Sequence, residues 1–213
     1  MKGILSLINS SDKKKFSIVV LASGRGSNLQ AIIDAIQEGY LNSQIIQVIS
    51  NKKDALALEK AKKAGLSFQL IESKGKNRDL YQQQLLEQVK VINPDLIVLA
   101  GYMRILPKEF IDSFDRKIIN IHPSLLPSFK GLHAIEQALD AGVKFIGCTV
   151  HFVDSGIDTG PIILQAVEEV LANDDADSLS QRLLSKEHQI LVKAIKLLED
   201  NKVVLQGRKT LLR

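Results

Sequence analysis

The chain has 213 residues, 45% of them hydrophobic and 24% charged, and carries a net charge of +4. This composition suits one large globular domain, or two lobes sharing a core, and excludes a wholly disordered chain. A single cysteine, Cys148, rules out an intrachain disulfide and a cysteine metal cluster; apolar runs such as Asp95–Ala100 are far too short to span a bilayer, and 5% aromatics without tryptophan offer no base-stacking platform for a nucleic acid.

Residues 1–15 read as an extension ending in Lys13, Lys14 and Lys15, without a signal-peptide pattern, so a cytoplasmic protein is expected. Phe16–Ala22 is a short, β-branched apolar run of the kind that forms a buried strand. A glycine-rich stretch, Ser23–Asn28, leads from it into a helix with Leu29, Ile32, Ile33 and Ile36 on one face, which Ser27 or Asn28 is placed to cap. A second strand is expected over Ile45–Ile49, a helix over Ala55–Lys63 closed by Gly65, and a third strand over Ser67–Ile71. Arg78–Val91 is helical, Asn93-Pro94 breaks it, and Leu96–Ala100 is a fourth strand. This alternation calls for a mainly parallel sheet with helices on both faces, a three-layer, doubly wound, Rossmann-like α/β arrangement.

The second half reads differently. Ile118–Ile121 is a short strand running into His122-Pro-Ser-Leu-Leu-Pro127, a loop stiffened by its prolines, and Ile135–Ala141 is a helix stopped at Gly142. Phe145–Val153 and Pro161–Val170 are strands that the turn Asp154–Gly160 would join as an antiparallel element. Ser178–Leu198 is a long amphipathic helix, and little signal follows Val204.

Gly24 and Gly26, between a strand and a helix, suit a phosphate held by backbone N–H groups and the helix N-terminus. The same residues serve equally as a structural turn. A dinucleotide fingerprint would need a small residue at Leu29 and an acid where Asn51 stands. Asn120 and His122 are two apart at the end of a strand and so share a face, at the edge where open α/β sheets bind ligands. A histidine in such a loop also serves as a structural residue. His151 reads either as a further candidate or as a hydrogen-bonded core histidine; His133 and His188 have weaker cases. Neither Ser124 nor Cys148 has the setting of a nucleophile, and no histidine pair has metal-binding spacing. The residues point to direct group transfer, with Asn120 and His122 polarising a carbonyl.

The segments Leu21–Gln30, Leu99–Leu106, Asn120–Pro127 and Val150–Val153, with Asp158-Thr-Gly-Pro161, resemble the folate-dependent formyltransferase family over about Phe16–Asn201. The Gly-Ser-Asn loop and Gly131-Leu-His133 are similar to its glycinamide ribonucleotide branch. The resemblance implies transfer of a formyl group from 10-formyltetrahydrofolate, the cosubstrate, to the amine of glycinamide ribonucleotide, without a metal. It implies Asn120, His122 and Asp158 as catalytic residues, with Asp158 keeping His122 charged. Gly26, Ser27 and Asn28 would hold the substrate phosphate, and Glu187 would contact the same substrate. The folate would lie against Met103, Arg104, Ile105 and Leu106, Asn120, and the turn Asp154, Ser155, Gly156, Ile157 and Asp158, with Arg78 at its glutamate tail. Arg25 departs from the small or polar residue often found at its position.

One formyltransferase domain is therefore expected over 16–204, with a phosphate-binding half (16–100) and a folate and catalytic half (101–204). Residues 1–15 are an extension and 205–213 a basic tail. Small-molecule substrates, no nucleic acid, no membrane, and a monomer or homodimer are expected. The rival readings are a formyltetrahydrofolate hydrolase, whose branch usually has a regulatory domain that 15 residues cannot form, a methionyl-tRNA formyltransferase, which would normally carry a further RNA-binding domain, and a non-catalytic folate or nucleotide binder.

Overall fold

The structure, a computed structural model, describes residues 14–213, so most of the expected extension lies outside the described residues. In chain order the first half runs β1 (Phe16–Ala22), α1 (Ser27–Gln37), β2 (Ser43–Ser50), α2 (Leu56–Lys63), β3 (Phe68–Leu70), α3 (Arg78–Ile92) and β4 (Leu96–Leu99). The second half runs α4 (Lys108–Ser113), β5 (Ile118–His122), α5 (Ala134–Asp140), β6 (Phe145–Phe152), β7 (Ile162–Glu169), α6 (Ala176–Glu199), β8 (Val203–Gln206) and β9 (Lys209–Leu212).

Seven strands form one sheet in the order β3-β2-β1-β4-β5-β6-β7. The first five are parallel, and β6 runs antiparallel to both β5 and β7. Alternate residues of β1 explain the layers. Ile18, Val20 and Ala22 pack on one face with Leu29 and Ile32 of α1 and Leu183, Leu191 and Ile195 of α6. Val19 and Leu21 pack on the other with Tyr81, Leu85 and Val89 of α3 and Phe110 of α4. Both faces of the central strands are thus covered, which is why they read as continuous apolar runs rather than as alternation.

The order of strands reverses at β1, whose neighbours are β2 and β4. The crevice at such a switch point, outside the carboxyl ends of the strands, is where ligands bind in open α/β sheets. The loop after β1 and the segment after β4 meet there, with Ser23 N donating to the Gly101 carbonyl at 3.1 Å.

Two elements differ from the expectation. α4 follows Pro107 and has only six residues, too few for a helical period to register, although Phe110 is fully buried. The expected basic tail is a hairpin, β8–β9, that docks on the sheet: Thr210 Oγ1 donates to the Ile162 carbonyl and the Arg208 guanidinium to the Thr159 carbonyl, each at 2.5 Å. Its strands have four residues each, too few to show a period, although Val203 and Leu205 pack against the core.

The β6–β7 pair is tight at Gly147, where a Cβ would run into the Ala166 carbonyl and the Leu125 side chain. Gly147→Ala is expected to destabilise the protein by about 1–3 kcal/mol through overpacking. A urea midpoint equal to that of the parent would show that the pair yields without cost.

Candidate active site

β5 and β6 build the centre. In their antiparallel register Asn120 is directly opposite His151, so the two side chains share a face. Asn120 Nδ2 lies 3.3 Å from His151 Nε2. His151 Nδ1 faces the Phe152 carbonyl at 2.8 Å. A carbonyl only accepts, so Nδ1 carries a hydrogen and Nε2 is left facing the Asn120 amide and Asp158 Oδ1. His151 is 2% exposed and His122 5%, so both rings are held by their partners rather than by water.

His122 has an acceptor at each nitrogen. Its Nε2 lies 2.8 Å from the Phe129 carbonyl and its Nδ1 3.3 Å from Asp158 Oδ2. Only the doubly protonated imidazolium satisfies both. The expected contact between His122 and Asp158 is thus formed, across a separation in sequence that spacing by itself does not bridge.

Asp158 is the hub. Its Oδ2 also accepts from the Gly131 N–H at 2.8 Å, while Oδ1 lies 3.5 Å from both Asn120 Nδ2 and His151 Nε2. Burial pushes the carboxyl up, but the His151 contact, the Gly131 N–H and the charges of His122 and His151 outweigh it and hold Asp158 below its ordinary range. The backbone is arranged to permit this. Asp158 has φ 49°, in the left-handed region that Asp and Asn tolerate best among residues with a Cβ. Phe129, at φ 51°, and Gly131, at φ 81°, turn the facing loop so that a carbonyl and an N–H point inward. Asp154 Oδ1 ties the turn together by accepting from Gly156 N at 3.1 Å and Thr159 Oγ1 at 2.5 Å. A Cβ at Gly160 would strike the Phe152 carbonyl, so the turn lies hard against the end of β6.

The glycine loop is a second, separate part of the site. Gly26, at φ 70°, precedes α1, and no side chain caps that helix, contrary to the expected cap by Ser27 or Asn28. A Cβ on Gly26 would approach Ala57 Cα to 2.8 Å. Asn28 turns instead to α6, its Nδ2 donating to Glu187 Oε2 at 3.2 Å, and its buried Oδ1 has no hydrogen-bond partner. Burial raises the Glu187 carboxyl above its ordinary range, against the pull of Asn28 and Arg25. The uncapped helix end, the unmatched amide and the half-compensated carboxylate form a cradle suited to an anion with adjacent hydroxyls.

Of the segment after β4, Met103 and Ile105 are 60% and 64% exposed, whereas Leu106 is buried in the core. Ile157, in the Asp158 turn, is likewise exposed. Arg78 opens α3 at the surface and makes no hydrogen bond or ion pair with other described residues. Asp158 also borders an open cavity of about 480 Å³ beside Pro127, Gly160 and the hairpin.

Other candidates fall away. Ser124 is fully buried and donates to the Ser128 carbonyl. The Cys148 thiol is pushed up to about 12 by burial and by the Glu187 charge, which disfavours a thiolate nucleophile. His133 pairs with Glu136 at the surface, and His188 lies on α6. Among the described residues no group of three His, Cys, Asp or Glu is placed to hold a metal, and no helix is long and apolar enough to cross a membrane. His151 and the main-chain groups of Phe129 and Gly131 complete the centre. The histidine was visible as a candidate in the sequence; the backbone groups, which any residue carries, were not.

A sequence profile of the formyl transferase family matches residues 16–195. The chain is similar to the phosphoribosylglycinamide formyltransferase of Escherichia coli (strain K12), 45% identical over 82% of this chain and 82% of that protein. It is 44% identical to the trifunctional purine biosynthetic protein adenosine-3 of Drosophila melanogaster over 87% of this chain, and spans only 14% of that longer protein. Its fold resembles the crystal structure of glycinamide ribonucleotide transformylase 1 from Symbiobacterium toebii, with a TM-score of 0.90 and 43% identity over 93% of this chain and 94% of that one.

The depressed carboxyl of Asp158 links the centre to stability. A carboxylate with a lowered folded value stabilises the fold fully above its unfolded value and loses that contribution as pH falls through the folded one. Asp158→Asn keeps the left-handed turn and removes the charge. Its stability deficit, measured by urea unfolding, is expected to be largest near neutral pH and to shrink between about pH 5 and pH 2. A deficit independent of pH would mean that the charge contributes nothing.

Proposed function

The chain belongs to the formyl transferase family, and from that premise we propose that it transfers the formyl group of 10-formyltetrahydrofolate to the amine of glycinamide ribonucleotide, a step of purine biosynthesis. The observation that carries this reading is the convergence of Asn120 Nδ2 and His122 Nδ1 on the Asp158 carboxylate, at 3.5 and 3.3 Å. Two donors, one of them cationic, meet at a point that already accommodates negatively charged oxygen.

In the reaction the amine nitrogen bonds to the formyl carbon, the bond from that carbon to the folate nitrogen breaks, and one proton passes from the amine to the folate nitrogen. Negative charge develops on the formyl oxygen. The Asn120 amide and the His122 imidazolium donate to that oxygen, and their contacts to Asp158 are long enough to be redirected when substrate arrives. The Phe129 carbonyl keeps the other His122 N–H in place. Asp158 holds His122 in its charged form and offers a carboxylate oxygen to orient a water that relays the proton. His151 fixes the Asn120 amide. No side-chain nucleophile is required.

The remaining residues complete this reading, and their positions support it. Gly26, Ser27 and Asn28 hold the substrate phosphate at the uncapped start of α1, with Asn28 and Glu187 offering polar atoms to the ribose side. Met103, Arg104, Ile105 and the 154–158 turn line the folate; the exposed Met103, Ile105 and Ile157 fit an apolar ring system, while Leu106 supports them from the core. Arg78 is free to meet a carboxylate of the tail. We take 16–204 as the catalytic domain, with the β8–β9 hairpin packed on it.

Incubation with 10-formyltetrahydrofolate, with and without glycinamide ribonucleotide, tests the reaction. Formyl loss is expected only when the ribonucleotide is present; loss regardless of it would favour a hydrolase. Asn120→Ala and His122→Ala are each expected to lower kcat about a hundred- to a thousandfold, the usual cost of one oxyanion donor. Near-parent turnover in either removes that residue from the mechanism. Gly26→Val, which strains φ and meets Ala57, is expected to raise the KM for the ribonucleotide above that for the folate; equal KM values would leave the loop a structural turn.

A further inference from the structure

Asn51 follows β2, at the position where a dinucleotide-binding sheet presents an acid to a ribose hydroxyl. Here its side chain is used within the protein. Asn51 is 2% exposed. Ser23 Oγ donates to Asn51 Oδ1 at 2.5 Å, and Asn51 Nδ2 donates to Ser73 Oγ at 3.1 Å. Ser73 Oγ accepts from the Arg104 guanidinium at 2.8 Å, and Ser23 Oγ accepts from the Met103 N–H, also at 2.8 Å. Met103 and Arg104 are chain neighbours, so these bonds close a ring. In sheet order Ser73, Asn51, Ser23 and Met103 follow β3, β2, β1 and β4, so the ring crosses the carboxyl ends of four adjacent strands.

The segment after β4 is fixed residue by residue. The Gly101 carbonyl accepts from Ser23 N, and the Tyr102 hydroxyl is hydrogen-bonded to the Tyr81 hydroxyl of α3. Met103 and Arg104 then join the ring. Ser23 opens the loop assigned to the phosphate, and Met103 opens the segment assigned to the folate. Ser23 and Asn51 are buried, Ser73 is half-buried, and Met103 and Arg104 are exposed; the shared hydrogen bonds tie the exposed segment to the buried pair, and a misplacement of about 1 Å between reacting groups can cost a hundredfold in rate.

We propose that Asn51 is a positioning residue for the formyl transfer: through Ser23 and Ser73 it sets the separation between the two substrate subsites. This rests on the substrate assignment above. A residue of this kind affects the meeting of two substrates more than the binding of either.

The test uses Asn51→Leu, which keeps the branched shape but leaves Ser23 and Ser73 unanswered, and Ser73→Ala, which removes the bonds of Ser73 to Asn51 and Arg104 but leaves the Ser23–Asn51 bond. Calorimetry measures binding of tetrahydrofolate alone and of glycinamide ribonucleotide alone, and kcat is taken with both substrates saturating. Each Kd is expected to stay within about threefold of the parent while kcat falls about tenfold or more for Asn51→Leu and about threefold for Ser73→Ala. Unchanged kcat in the variants overturns the proposal. So does a parallel weakening of both Kd values, the mark of a merely structural residue. Should Asn51→Leu fail to fold, Ser73→Ala decides. If the parent protein binds neither ligand, the substrate assignment itself has failed, before any variant is compared.

Discussion

A carboxylate withdrawn from water must be matched by donors or by opposite charge, and the centre of this protein is organised around meeting that demand at Asp158. Two strands, a loop and a turn each contribute. β5 brings Asn120 and His122, β6 brings His151, and the loop before α5 brings the Gly131 N–H. The same carboxylate faces one ring nitrogen of His122, while the other faces the Phe129 carbonyl. Left-handed backbone at Phe129, Gly131 and Asp158 is the cost of pointing these groups at one another.

The sheet divides the work. Its parallel half, covered on both faces, presents four strand ends to one crevice and joins them by a ring of side-chain hydrogen bonds. Its antiparallel edge sets Asn120 opposite His151 by register alone. β6 ends beside the start of β5, with Phe152 opposite Ile119, and the turn after it folds back along β5 so that Asp158 reaches Asn120 and His122. The close approaches at Gly147 and Gly160 keep that hairpin tight against its neighbours.

Local patterns carried most of the fold. Buried β-branched runs marked β1, β2 and β4, and the period of Leu29, Ile32, Ile33 and Ile36 marked α1. The elements that escaped, α4 and β8–β9, have too few residues each to show a period. Capping of α1 was misread because Ser and Asn are good caps in general, whereas here Asn28 is drawn to Glu187 on a helix far along the chain. The partner of Asn51 was equally hidden: its amide met no local signal, only the absence of an expected acid.

Sequence by itself determined the class of the fold, the pairing of Asn120 with His122 on one face, and the strand-to-helix glycine turn. Each of these depends on residues within a few positions of one another, and strand and helix periods report such neighbours directly. Tertiary structure alone decided that His122 meets Asp158, that His151 joins them, that Phe129 and Gly131 supply main-chain partners, and that Ser23, Asn51, Ser73 and Arg104 share one ring. Those contacts cross tens of residues of chain, and they exist only once strand order, register and the hand of each turn have been set by burial of the core.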